Sequence, residues 1–87
     1  MTTWRDGRHE WELVNAGEEI DGRYRLTTDV RARRPDSPPT EGGWIVATVY
    51  EDDDGQQRIR LSSVLGEEAL DARSFLKAMN LAVRVSS

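Results

Sequence analysis

A chain of 87 residues has room for one domain and one modest core, since a protein this short buries only about 60% of its unfolded surface. Its 37% hydrophobic and 32% charged residues, with a net charge of −4, point to a folded domain rather than wholesale disorder. The lack of cysteine excludes a disulfide framework or a thiolate metal site.

No apolar run approaches the roughly 20 residues that span a bilayer. The opening Met1-Thr2-Thr3-Trp4-Arg5-Asp6 has neither a basic n-region nor an apolar h-region, so no signal peptide is expected. A cytoplasmic protein without a membrane partner is the default. The cations are almost all arginine, with Lys77 the single lysine. A GC-rich genome or a halophilic host would produce that bias, and neither states a function.

Between residues 8 and 15, His9, Trp11 and Leu13 share one parity while Arg8, Glu10 and Glu12 share the other. That alternation predicts a short edge strand. The following Ala16-Gly17-Glu18-Glu19-Ile20-Asp21-Gly22 reads as a turn. Residues 23–33 alternate most clearly: Tyr24, Leu26, Thr28, Val30 and Ala32 against Arg23, Arg25, Thr27, Asp29, Arg31 and Arg33. Such a split predicts a half-buried strand. Three prolines and two glycines in residues 34–43 break both helix and ladder, so a mobile loop is expected there.

Trp44-Ile45-Val46-Ala47-Thr48-Val49-Tyr50 is β-branched and aromatic, and reads as a central strand over 44–50. Asp54-Gly55 is a hairpin signal, and alternation resumes over 57–63, with Ile59 and Leu61 inward and Arg58 and Arg60 outward. The remaining pattern predicts an amphipathic helix over 71–84. Asp71 is its N-cap and Leu70 with Phe75 its hydrophobic staple. Its apolar arc would hold Ala72, Phe75, Leu76, Met79, Ala82 and Val83, leaving Leu81 exposed on the polar arc, an ordinary lone surface leucine for which a homodimer contact beside Val85 is the alternative.

The expected architecture is therefore α+β: a small antiparallel sheet of about four strands with one C-terminal helix packed on one face. A single helix leaves the other face open. Sequential strands joined in a meander would place Ile45, Ala47 and Val49 towards the helix. The open face would then carry Arg25, Arg31, Arg33, Arg58 and Arg60 around Trp44 and Tyr50. Guanidinium groups bind carboxylates or phosphates bidentately and stack on aromatic rings. The set fits a protein hot spot or a platform for unpaired bases. A solvated face on which arginine stems shield apolar surface is the plainer reading.

Charge is segregated along the chain. Residues 23–34 hold five Arg against one Asp, while Glu51, Asp52, Asp53 and Asp54 form an uncompensated acidic run. A net negative chain lacks the dominant basic footprint of nonspecific nucleic-acid binding, which favours a protein partner. The acidic run could imitate phosphates, although a soluble hairpin tip that discourages edge pairing is the better explanation, and its consecutive carboxylates do not match a calcium loop.

Catalysis finds little support. His9 is the sole imidazole and reads as an exposed or half-packed side chain. No nucleophile–base–orienter set, metal-ligand spacing, cofactor motif or glycine-rich phosphate loop occurs. The sequence predicts a non-enzymatic, metal-free and cofactor-free binding protein. It would be an adaptor, chaperone-like subunit or phage-type inhibitor acting by steric blockade or acidic mimicry. A single-stranded nucleic-acid binder using the same arginines and aromatics is the alternative.

Overall fold

The computed structural model describes residues 2–35, 43–62 and 69–86. Five strands, β1 (Thr2–Asp6), β2 (His9–Ile20), β3 (Arg23–Arg33), β4 (Trp44–Glu51) and β5 (Gln57–Leu61), precede one helix, α1 (Ala72–Val85). The strands form a single antiparallel meander in the order β1-β2-β3-β4-β5. The α+β class is as expected, but the sheet has five strands rather than about four. Residues 36–42, most of the expected loop, lie outside the described residues, as do 63–68.

The additional strand escaped notice because Thr2–Asp6 contains a single apolar side chain. Trp4 lies directly across from Trp11 and packs against the core, so one aromatic pair does what alternation does elsewhere. β1 thus takes the edge, and β2 becomes an interior strand. β2 also continues through the residues expected to turn. Its register with β3 is unbroken from Glu10↔Arg33 to Ile20↔Arg23. The reversal is confined to Asp21 and Gly22, both with positive φ (54° and 77°), as in the two-residue turn whose twist matches that of the strands.

The core lies between the sheet and α1. Trp11 and Leu13 from β2, Val30 and Ala32 from β3 and Val46, Ala47 and Val49 from β4 meet Ala78, Met79 and Ala82. Trp11 is the largest fully buried side chain, and burying a ring of that size contributes about 3 kcal/mol or more. Such bulk on the sheet calls for small residues opposite, and the helix supplies Ser74, Ala78 and Ala82, all buried. This seating differs from the expected arc. Leu76 is 61% exposed, whereas Leu81, expected in solvent, packs against the core. Asp71 is the N-cap, but its carboxylate makes no capping bond.

β3 and β4 run in register from Thr27↔Tyr50 to Val30↔Ala47, then shift so that Arg31 faces Ile45 and Ala32 faces Trp44. Val46 is the additional residue of this bulge. Because side chains alternate with period two, one extra residue exchanges the faces of everything before it. Ile45, expected under the helix, therefore lies on the open side. Trp44, expected on the open side, lies on the helix side.

Candidate partner-binding face

Strand parity places Glu10, Glu12, Val14, Ala16, Glu18 and Ile20 of β2 on the face opposite α1. Arg23, Arg25, Thr27, Asp29, Arg31 and Arg33 of β3 share that face, as do Ile45, Thr48 and Tyr50 of β4 and Arg58 and Arg60 of β5. This face is concave. Glu18 and Arg60 lie three strand steps apart, about 14 Å across a flat sheet, and four residues out of line, about 14 Å along it, yet they form an ion pair. The sheet must curl towards the open side to bring them together. A cavity of about 350 Å³ lies beside the pair, lined by Ile45, Thr48, Arg60, Leu61 and Ser62.

The floor of the concavity is polar and largely closed to solvent. Asp29, 7% exposed, accepts hydrogen bonds from Thr48 Oγ1 at 3.1 Å and Thr27 Oγ1 at 3.4 Å. A carboxylate taken out of water needs such donors, since an unpaired one would cost several kcal/mol. By charge alone Asp29 is merely a lone acid among the arginines of β3; its register with Thr48 and its shared parity with Thr27 are the signal for its role.

Of the arginines expected on the open face, Arg25, Arg31, Arg33, Arg58 and Arg60 all lie there. Most are matched by a carboxylate. Arg25 Nη2 reaches Asp53 Oδ1 at 2.9 Å while its Nη1 donates to the Glu51 carbonyl at 2.9 Å. Arg33 Nη2 bonds Glu10 Oε2 at 3.1 Å, and Arg58 Nε bonds Asp52 Oδ2 at 2.8 Å. Arg31 stands directly opposite Glu12 in the register. Tyr50 is half-buried between Thr27 and Arg58. The arginines are legible from strand parity but their partners Glu10 and Glu18 are not, the latter because it lies in the expected turn.

Trp44 leaves the set. Its ring meets His9 edge-on, with centroids 5.7 Å apart and planes at 87°. His9 also makes an edge contact with Trp11 at 6.4 Å. With only 3% of its surface exposed, His9 is a core histidine held between two indoles, not the exposed or half-packed side chain expected of the N-terminal segment.

The acidic run is likewise occupied. The Asp52 carboxylate accepts the backbone N–H groups of Asp54 and Gln56, each at 2.9 Å, which ties the β4–β5 turn together. Arg58's hydrogen bond, and then the Gln56 N–H, hold the Asp52 carboxyl below its ordinary value of 3.8. The same pairing raises Arg58 above its own. Asp53 bridges Arg25 and Arg23, the latter at 3.3 Å. Two of the four carboxylates therefore act within the molecule.

Among the described residues no group of His, Asp and Glu is arranged to hold a metal ion, and no helix is long and apolar enough to cross a membrane. The fold and this face define a five-stranded meander with a single covering helix, whose open side carries arginines paired with carboxylates of β2 and of the β4–β5 turn. No protein-family model matches the chain, and neither the curated proteins nor the solved structures contain a match.

Proposed function

We propose that this protein is a non-catalytic binding protein that recognises another protein through the concave face of its sheet. One observation carries the choice of partner: the arginines there are matched by carboxylates of β2 and of the β4–β5 turn. Arg33 with Glu10, Arg25 with Asp53, Arg58 with Asp52 and Arg60 with Glu18 leave a face of alternating sign. A polyanion needs an uncompensated basic track, whereas alternating charge around an aromatic suits a protein surface with its own alternation. The departure of Trp44 to the helix side also removes one of the two rings on which bases would stack, leaving Tyr50. Steric contact by the sheet, as in an adaptor, chaperone-like subunit or inhibitor, is favoured over phosphate mimicry, because Asp52 and Asp53 are engaged internally.

The test compares affinity capture of partners from the native host by the wild type and by a Tyr50→Ala/Arg31→Glu variant. Anisotropy titrations with labelled single-stranded DNA and RNA at about 50 and 200 mM salt run in parallel. A protein retained by the wild type and lost by the variant supports the reading. Equal capture by both removes the face. Saturable, salt-steep binding of the oligonucleotides would replace the reading with the nucleic-acid alternative.

A further inference from the structure

The β2–β3 hairpin outreaches its neighbours. Among the described residues β1 covers the outer edge of β2 only from His9 to Leu13, and no strand pairs along the edge from Val14 to Ile20. Every second residue there directs its N–H and C=O away from β3. Such an edge invites another strand unless it is short, bulged or guarded by charge or Pro. This one is seven residues long, regular in register and without Lys or Pro; its charges are Glu18, held by Arg60, and Glu19.

We propose that the occupant is a second copy of this chain, paired antiparallel along β2 about a two-fold axis at Gly17. The register follows from the strand itself. In a continuous antiparallel sheet, paired residues lie on the same face, so the two residue numbers must have an even sum. A centre at Glu18 or Glu19 would set like charges face to face. A centre at Ala16 or Asn15 would drive the partner's strand into the end of β1, which already occupies Leu13. Gly17, the midpoint of the open edge, satisfies both conditions.

About Gly17 the pairing runs from Asn15 to Glu19, with Glu19 opposite the second copy's Asn15 and Glu18 opposite its Ala16. No two like charges stand directly across from one another. The Glu18 carboxylates, diagonal neighbours across the axis, are each held back by their own Arg60.

The side chains over the axis fit the same arrangement. Tyr24 crosses from β3 over Gly17 and leads with its hydroxyl. A Cβ at Gly17 would lie 1.9 Å from Tyr24 Oη and 2.4 Å from Cζ. The ring therefore lies along the diagonal towards the open edge, and in the pair the two Tyr24 rings would converge over the two glycines. Tyr24 is 74% and Leu26 80% exposed, on the helix side of the sheet, where the C-terminal end of α1 only borders a pocket that Leu26 also lines. A two-fold partner would bring Leu26, Gly17, Gly17 and Leu26 into one cross-sheet row. Five paired residues and these few side chains make a small contact, below the roughly 1,200 Å² of a tight interface, so association should be concentration-dependent. The pairing is independent of the concave-face reading above.

Sedimentation equilibrium over about 1 µM to 1 mM tests this with two variants of opposite charge. Wild type should move from 9.9 kDa towards about twice that mass. Ala16→Glu, which sets two acids against Glu18 of the other copy, should weaken association about tenfold. Ala16→Lys, which sets two opposite charges there, should preserve or strengthen it. Should Ala16→Glu fail to fold, oxidative cross-linking reads the register directly. A mixture of Asn15→Cys and Glu19→Cys chains should give a disulfide-linked heterodimer, while neither variant alone should link. A wild type that remains at 9.9 kDa throughout overturns the proposal, leaving the edge to a strand from a different protein. Equal dimerisation by the Glu and Lys variants, or cross-linking by either cysteine variant alone, also overturns it.

Discussion

The helix offers the sharpest test of how this core is put together, because its apolar residues and its buried residues are not the same set. At 100° per residue Ser74, Ala78 and Ala82 span an arc of about 80°, and Leu76 lies about 160° away from Ala78. Ala78 and Ala82 have no exposed surface, whereas Leu76 is 61% exposed. Replacing Ala78 with Leu inserts three carbons at a fully buried position of the core, which overpacking data place at about 1–3 kcal/mol or more. At about 4–8 °C per kcal/mol for a domain of this size, a loss of about 2 kcal/mol lowers Tm by roughly 8–16 °C. Leu76→Ala removes a side chain only partly withdrawn from water and leaves no cavity, so it should cost about 1 kcal/mol or less. Urea denaturation followed by tryptophan fluorescence measures both variants. A Leu76→Ala variant that loses more stability than Ala78→Leu would refute this seating and restore the arc centred on the larger residues.

Two further substitutions address the site. Trp44→Ala should destabilise the fold by about 2 kcal/mol or more without altering capture of a partner by the folded fraction, as expected for a ring packed on His9; partner loss at unchanged stability would return Trp44 to the binding face. Asp52 should give the β4–β5 turn an acid limb. Its folded pKa lies below the ordinary 3.8, so its stabilisation is fully present above that value and disappears as pH falls through the depressed one. Asp52→Asn keeps an oxygen for the Asp54 and Gln56 N–H groups but loses the charge facing Arg58. Carboxyl NMR titration of the wild type, with amide shifts of residues 52–56 in both proteins, should show the turn's transition below pH 3.8 only where Asp52 is present.

The fold was legible wherever one periodicity dominated. The alternation of β3 and the helical pattern of residues 71–84 were sufficient to identify those elements, and a meander with one covering helix followed from their order. Failures arose where a single residue altered the arithmetic. Val46 is indistinguishable from its neighbours in a continuous apolar strand, yet as the additional residue of a bulge it exchanged Trp44 and Ile45 between faces. Gly17 with three nearby acids resembles a turn in isolation, but here Tyr24 lies over the glycine and Glu18 stands opposite Arg25, so the strand continues. The helix was placed correctly and rotated wrongly, since hydrophobicity weights favour Leu76 over Ala78, whereas close approach to a buried indole favours the smaller residue. The arginines of the open face could be read from parity. Their carboxylate partners depend on register and sheet curvature, which no local pattern encodes.

That curvature also constrains how a partner could bind. The ion pairs of this face are partly exposed, and such pairs contribute about 1 kcal/mol or less while water screens them. Covering them intact strengthens the attraction but costs the desolvation of both charges, so the two effects largely cancel. Binding energy must then come from apolar surface between the pairs, and the concavity contains it: Val14, Ala16 and Ile45 are half-buried beside Tyr50. A partner that inserts an apolar side chain among these residues and meets the arginines at the rim would gain area without breaking Arg33–Glu10 or Arg60–Glu18. Its affinity would vary weakly with salt, because little net charge is neutralised. A steep salt dependence would instead mean that the pairs open and the freed guanidinium groups make the contact.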